Sequence, residues 1–324
     1  MRLFEFLEEK SIGKTVNQSA KNEETTEQST PTKSVTVFVG YQSLEEARER
    51  KTKHQMCVSA GDSHTVGLKK DGTVIAVGND AFGCCNVQDW HDIIAVSAGK
   101  FHTVGLKKDG TVIAVGKNFD GQCDTQNWCD IIAVSAGYNH TVGLKKDGTV
   151  VNVGLKWSGN CDTQDWRDII AVSARGCTLG LRADGKIVAA GEGNFGELSI
   201  QDWQDIVSVS AGAWHTVGLK ADGTVIAVGR NQYGQCNTQY WRDIVAVCAG
   251  EVHTIGLKMD GTIDMVGSYD FGHQNIKYWR GIVAISCTSI HAVGLEWDGT
   301  VVAVGGNNYG GCNNVQDWRD IGFL

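Results

Sequence analysis

The sequence predicts an all-β protein, a seven-bladed β-propeller behind a short N-terminal extension. Three observations point there: a sevenfold repeat of about 38 residues, a strand-turn-strand pattern around Asp-Gly in every copy, and no helical period between copies. The glycines of the Asp-Gly-Thr/Lys turn are Gly72, Gly110, Gly148, Gly185, Gly223, Gly261 and Gly299. A second marker, Trp90, Trp128, Trp166, Trp203, Trp241, Trp279 and Trp318, runs in step with them. The copies span 56–93, 94–131, 132–169, 170–206, 207–244, 245–282 and 283–321, the fourth being one residue short.

Each copy opens with an apolar run such as IIAVSAG, a first strand. HTVGLKKDGTVIAVG then gives two alternating runs flanking Asp-Gly, a hairpin signal. The remainder, for example KNFDGQCDTQNWCD at 117–130, is rich in Gly, Asn and Gln and returns the chain as a loop or a short irregular fourth strand. Units of this size without helices match propeller blades, and the regularity of the end copies argues for a closed ring over an open solenoid that needs polar caps. At the closure Ile321–Leu324 aligns with Ile93 to Val96, so its last three residues, Gly322–Leu324, compete with Met56–Val58 for one strand site.

Residues 1–55 lie outside the repeat. Ser11 to Ser34 is polar and reads as a linker, Val35 to Val39 as a strand, and Ser43 to Lys53 as a short helix with a capping box. The start of the chain lacks the basic and apolar regions of a signal peptide, which predicts a cytoplasmic protein with reduced thiols. A net charge of −8 provides no field for nucleic acid, and no apolar run reaches the ~20 residues of a membrane span.

Six histidines share one repeat position: His64, His102, His140, His215, His253 and His291, with Cys177 in the fourth copy. Equivalent positions in neighbouring blades stand about 10 Å apart, too far to share a metal, so these histidines read as structural. The same spacing removes a shared zinc from Cys85, Cys123, Cys161, Cys236 and Cys312, and Cys84-Cys85 is no C-x-x-C pair. With no cysteine placed beside a distinctive His and carboxylate, and no phosphate or dinucleotide loop, the sequence predicts a non-enzymatic protein without cofactor or metal. The tryptophans read as inter-blade packing.

Positions shared by all copies serve the fold, and positions that differ are free to serve a partner. With strands running up, down and up, the loop before His and the loop after the third strand emerge on one face, where the variation concentrates. The predicted partner-binding residues are Lys100, Phe101, Tyr138, Asn139, Arg175, Trp214, Glu251, Val252 and Ile290 from the first loops and Trp157 from the second. Phe101, Tyr138, Trp214 and Ile290 are expected to project as contacts. The aromatic of the second loop recurs in every copy, as in Phe82, Phe195 and Tyr233, and is expected to pack beneath its own loop.

The string AGxxHTVGLKxDGTVxAVGxNxxGQC, at Ala136 to Cys161 and Ala211 to Cys236, resembles the repeat of the regulator of chromosome condensation family. That resemblance implies a seven-bladed propeller and a protein partner, and the family's eukaryotic founder is a guanine-nucleotide exchange factor for the GTPase Ran. The founder uses an inserted hairpin wedge, for which copies of 37–39 residues leave no insertion. The compact copies are more similar to bacterial members, including a propeller-type inhibitor of β-lactamases. The function expected is a monomeric protein-protein interaction propeller, with regulation of a Ran-like small GTPase and inhibition of a β-lactamase-like enzyme as alternatives.

Overall fold

The computed structural model describes residues 57–155, 159–306 and 315–322, and of Phe271 and Gly272 the backbone alone. The segments expected at 1–55, Trp157 and Cys312 lie outside these residues. Seven antiparallel sheets of three strands follow one another along the chain. In the first, β1 (Val58–Ala60) pairs β2 (His64–Leu68), which pairs β3 (Val74–Gly78). The later sheets repeat this order from Ile93, Ile131, Ile169, Ile206, Ile244 and Ile282. The protein is a seven-bladed β-propeller, and among the described residues the fourth part of a repeat is a chain of turns, tightened to a 3-10 helix at Asp270–Tyr278 and at Val315–Asp317.

The Asp-Gly turn forms because Gly72 takes φ +80°, a conformation that costs glycine nothing. Asp71 Oδ1 accepts from both the N–H and the hydroxyl of Thr73, at 2.9 and 2.6 Å. The same Asp-Thr pair recurs at Asp109, Asp147, Asp222 and Asp260.

Between blades, three side-chain devices repeat. The tryptophan at the end of each repeat lies flat against the glycine of the next blade's middle strand, as Trp90 does on Gly105 and Trp128 on Gly143. Inner strands are joined by a serine whose hydroxyl accepts an N–H from the next blade, Ala98 to Ser59 at 2.9 Å being the first. A histidine joins middle strands: His64 Nε2 lies 2.8 Å from Thr103 Oγ1. That threonine hydroxyl donates to the Cys84 carbonyl, so it accepts from the ring, and His64 carries its proton on Nε2. The histidines are structural as the sequence predicted, and all but His253 bind a threonine of the neighbouring blade.

All three devices run through the closure. Trp318 covers Gly67, Ser286 accepts from Ala60 N–H at 3.0 Å, and His291 meets Thr65 at 2.9 Å. Among the described residues, Ile321–Gly322 and Cys57–Val58 divide the first inner strand between them. Ile321 bridges Lys69, then the Leu68 N–H donates to the Cys57 carbonyl at 2.7 Å and Val58 faces Gly67. In the second blade one continuous strand does this with Ile93, Ala95 and Val96, and carries a bulge between Ile93 and Ala95. The break in the first blade falls at that bulge.

Candidate functional site

The first and second loops do emerge on one face, because in every blade but the fourth the residue after the outer strand donates its N–H to the loop before the middle strand. Lys117 donates to Phe101, Leu155 to Asn139, Arg230 to Trp214, Ser268 to Val252 and Gly306 to Ile290, at 2.7–2.9 Å. In these blades the first loop is therefore pinned by the second loop of its own blade. Neighbouring first loops are also tied by backbone bonds, Lys100 N–H to Gly137 O at 3.3 Å and Tyr138 N–H to Arg175 O at 3.2 Å.

Towards the axis, Arg175 is engaged within the ring. Its Nη2 donates to Asp62 Oδ1 at 2.7 Å and to Ser289 Oγ at 3.2 Å. Burial opposes the guanidinium charge, but Asp62, Tyr138, Cys287 and Cys248 together outweigh it and raise the group above its ordinary value. The guanidinium also lies 5.3 Å from the Tyr138 ring centre, and Lys100 Nζ lies 5.7 Å from it. Burial raises the Tyr138 hydroxyl, which keeps it neutral. Arg175, Tyr138 and Lys100 thus form one cation–aromatic group, with Glu251 near enough to act on the tyrosine.

Further out, the aromatics are arranged in the reverse of the expected order. Phe101, Tyr138, Trp214 and Ile290 are half-buried, whereas Phe82 is 41% exposed, Phe119 81%, Phe195 45% and Tyr233 51%. Two of the second-loop aromatics, Phe82 and Phe195, do not pack beneath their own loops but cover first-loop aromatics of the next blade. Phe82 lies 5.4 Å from Phe101 and 6.0 Å from Phe119, and Phe195 lies 5.3 Å edge-on to Trp214. Arg230 stands over both Phe195 and Tyr233, at 5.6 and 5.8 Å. Phe82, Phe119, Phe195, Tyr233 and Arg230 therefore supply the projecting surface. Its signal in the sequence was the aromatic that recurs beside the second-loop glycine.

Among the described residues, those able to hold a metal are in the first blade. Asp80 and Cys84 occupy the positions of Asn118 and Gln122 in the second, and with Cys85 they bring three ligand atoms within 4.8 Å of one another. Adjacent cysteines can share a site here because the tight Gly83 turn, at φ +73°, aims both inward. Three donors are one short of a closed tetrahedral zinc site. Hydrogen bonding from Cys85 lowers the Cys84 thiol against the opposing effect of burial. A cysteine does stand beside a histidine and a carboxylate, contrary to the sequence expectation, but Cys84 is 1% exposed and is not presented to a substrate.

The family model for the regulator of chromosome condensation (RCC1) repeat matches residues 57–84, 93–122, 131–151 and 206–235. No curated protein matches the chain in sequence. Among solved structures, the chain is similar to the CRINKLY WD40 ectodomain of the Arabidopsis thaliana receptor kinase ACR4, with 18% identity over 77% of this chain and 94% of that one and a TM-score of 0.63. Prp20p from Saccharomyces cerevisiae is similar at 15% identity over 85% of this chain and 88% of that one, TM-score 0.59. Yeast RCC1 (Prp20) in its structure with Kap60 is similar at 15% identity over 96% and 90%, TM-score 0.59. These likenesses carry the propeller fold.

Proposed function

We propose that this chain, a propeller built from regulator of chromosome condensation repeats, is a non-enzymatic binding protein that holds another protein on its two-loop face. The observation that carries this is the layered aromatic surface: exposed Phe82 and Phe195 rest on half-buried Phe101 and Trp214, Phe119 lies against Phe82, and Lys117 and Arg230 stand over the rings of Phe119 and of Phe195 and Tyr233. Rigid aromatic groups beside cations, held by pinned loops, are what protein hot spots use. Support of kind comes from Prp20p, whose structure was described with its binding to Gsp1p and histones, and from the complex of that protein with Kap60.

The test uses Phe119→Ala, Phe195→Ala and Tyr233→Ala together, exposed positions whose truncation leaves the thermal midpoint unchanged. A partner captured by the parent and at least thirtyfold weaker on the variant, about 2 kcal/mol, supports the reading. Equal capture overturns it and moves attention to the Asp-Gly face, where Tyr240, Tyr278 and Trp297 are exposed. Two finer readings are tested directly. Accelerated nucleotide release from a Ran-type GTPase at micromolar propeller supports exchange activity, and lowered hydrolysis by a β-lactamase supports inhibition. A flat response removes each.

A further inference from the structure

Six of the seven steps around the axis are joined by serine. Ser59, Ser97, Ser135, Ser173, Ser210 and Ser286 each accept the N–H of an alanine in the next inner strand, at 2.9–3.0 Å. The step from the sixth blade to the seventh differs at both ends. Cys248 stands in the serine position and Cys287 in the alanine position.

The backbone rung survives, since Cys287 N–H donates to Cys248 Sγ at 3.0 Å. The added sulfur is then brought to 2.8 Å from Cys248 Sγ. One buried cysteine in a strand is an ordinary small apolar residue. Two that replace different residues, in different repeats, at opposite ends of one rung, form a pair. A disulfide bond is about 2.05 Å long, so closure asks for an approach of about 0.8 Å.

We propose that Cys248 and Cys287 are a cross-linking site, forming a disulfide that locks the sixth blade to the seventh when the protein meets a hydroperoxide. Cys248 is the attacking sulfur: the Cys287 thiol and N–H both donate to it, and the Arg175 cation acts on it. Burial raises the Cys287 thiol, which remains protonated. The Cys248 thiolate attacks the peroxide, the O–O bond breaks, and the departing alkoxide takes up a proton as an alcohol. Cys287 then attacks the resulting sulfenic sulfur as the S–O bond breaks, and its proton leaves with the hydroxyl as water. In sum, two thiols and ROOH give one disulfide, ROH and H2O; the sulfurs lose two electrons and the peroxide oxygens gain them. A reducing compartment holds the pair as the dithiol and an oxidising one as the disulfide. This proposal stands apart from the binding reading, since the sulfurs lie in the inner strands.

The test compares the full-length parent with Cys248→Ser and Cys287→Ala, each of which restores the residue other blades carry and so preserves the fold. Each protein is treated with tert-butyl hydroperoxide, free thiols are alkylated, and the chain is cut after Lys, Arg and Glu. The parent is expected to yield Asp243–Glu251 joined to Gly281–Glu296, two hydrogens lighter than the separate thiol peptides and separated by dithiothreitol. Each of these peptides holds a single cysteine. The cross-linked form is expected to melt about 5 °C or more higher, a gain absent from both variants. Recovery of both peptides from the treated parent with Cys248 and Cys287 alkylated, or over-oxidised and unjoined, overturns the proposal.

Discussion

Arg175 of the fourth blade meets Asp62 of the first across the ring axis, Nη2 to Oδ1 at 2.7 Å, although 113 residues separate them. Ser289 of the seventh blade donates to the same carboxylate oxygen at 3.3 Å. The fourth repeat is one residue short and places Arg175 where five of the other six blades carry glycine and the seventh carries Thr288.

Removing the arginine strands a carboxylate that is only 15% exposed. Arg175→Ala is expected to cost about 3 kcal/mol in urea unfolding, the low end for one half of a buried pair. Asp62→Ala should cost a similar amount, and the double variant clearly less than the sum. Additive losses would show that the two charges do not depend on each other.

His253 lacks the inter-blade partner that its five counterparts have. They meet Thr103, Thr141, Thr178, Thr254 and Thr65 in turn, whereas the position facing His253 is Ala292. Both ring nitrogens of His253 are buried without a hydrogen-bond partner among the described residues, and the ring stacks on His273 at 4.4 Å. Ala292→Thr is expected to stabilise by about 1 kcal/mol, and Thr141→Ala to destabilise by about 1–2 kcal/mol by orphaning His102. Unchanged urea midpoints in both variants would remove the histidine rung as a source of stability.

Five of these histidines set a pH limit. Burial lowers His102, His215 and His291 to about 3, His140 to about 4, and His253 well below 6.5. The unfolded chain takes up these protons near pH 6.5, and the folded chain does not until far lower pH. Stability is therefore complete above about pH 7 and falls as the pH drops through 6.5 toward 3. Each histidine contributes up to about 1.4 kcal/mol per pH unit, enough together to exhaust an ordinary folding margin near pH 5. Circular dichroism from pH 8 to 3 should show one cooperative loss, and urea midpoints equal at pH 7 and 5 would contradict the mechanism.

The ring was legible in the sequence because every element recurs seven times, so the period of the tryptophans and the Asp-Gly turns carries the blade count. What escaped depends on contacts between columns of the repeat. The reversal of aromatic exposure comes from Phe82 leaning on Phe101 and Phe195 on Trp214, which no single repeat displays. Arg175 finds a partner three blades away along one side of the ring. Cys248 and Cys287 look like unrelated replacements until adjacent blades are placed side by side, where the serine column of one faces the alanine column of the next. Alignment of neighbouring columns, rather than of identical ones, is the signal that would have found them.

The tryptophan-on-glycine contact gives a prediction opposite in sign to the usual glycine rule. Replacing a strand glycine by alanine ordinarily stabilises by about 0.4–1 kcal/mol, because the unfolded chain loses freedom. At Gly143 the added Cβ would lie 2.7 Å from Trp128 Cζ3, 2.9 Å from Cε3 and 3.1 Å from Val151 Cγ2. Trp128 is 9% exposed and held between blades, so the ring has little room to retreat. Gly143→Ala is expected to destabilise by about 2 kcal/mol, the cost of overpacking a filled core. Trp128→Phe removes the edge that the methyl would strike, and in that background the same alanine should cost less than about 1 kcal/mol. Equal cost in both backgrounds would place the strain in the strand itself rather than against the indole.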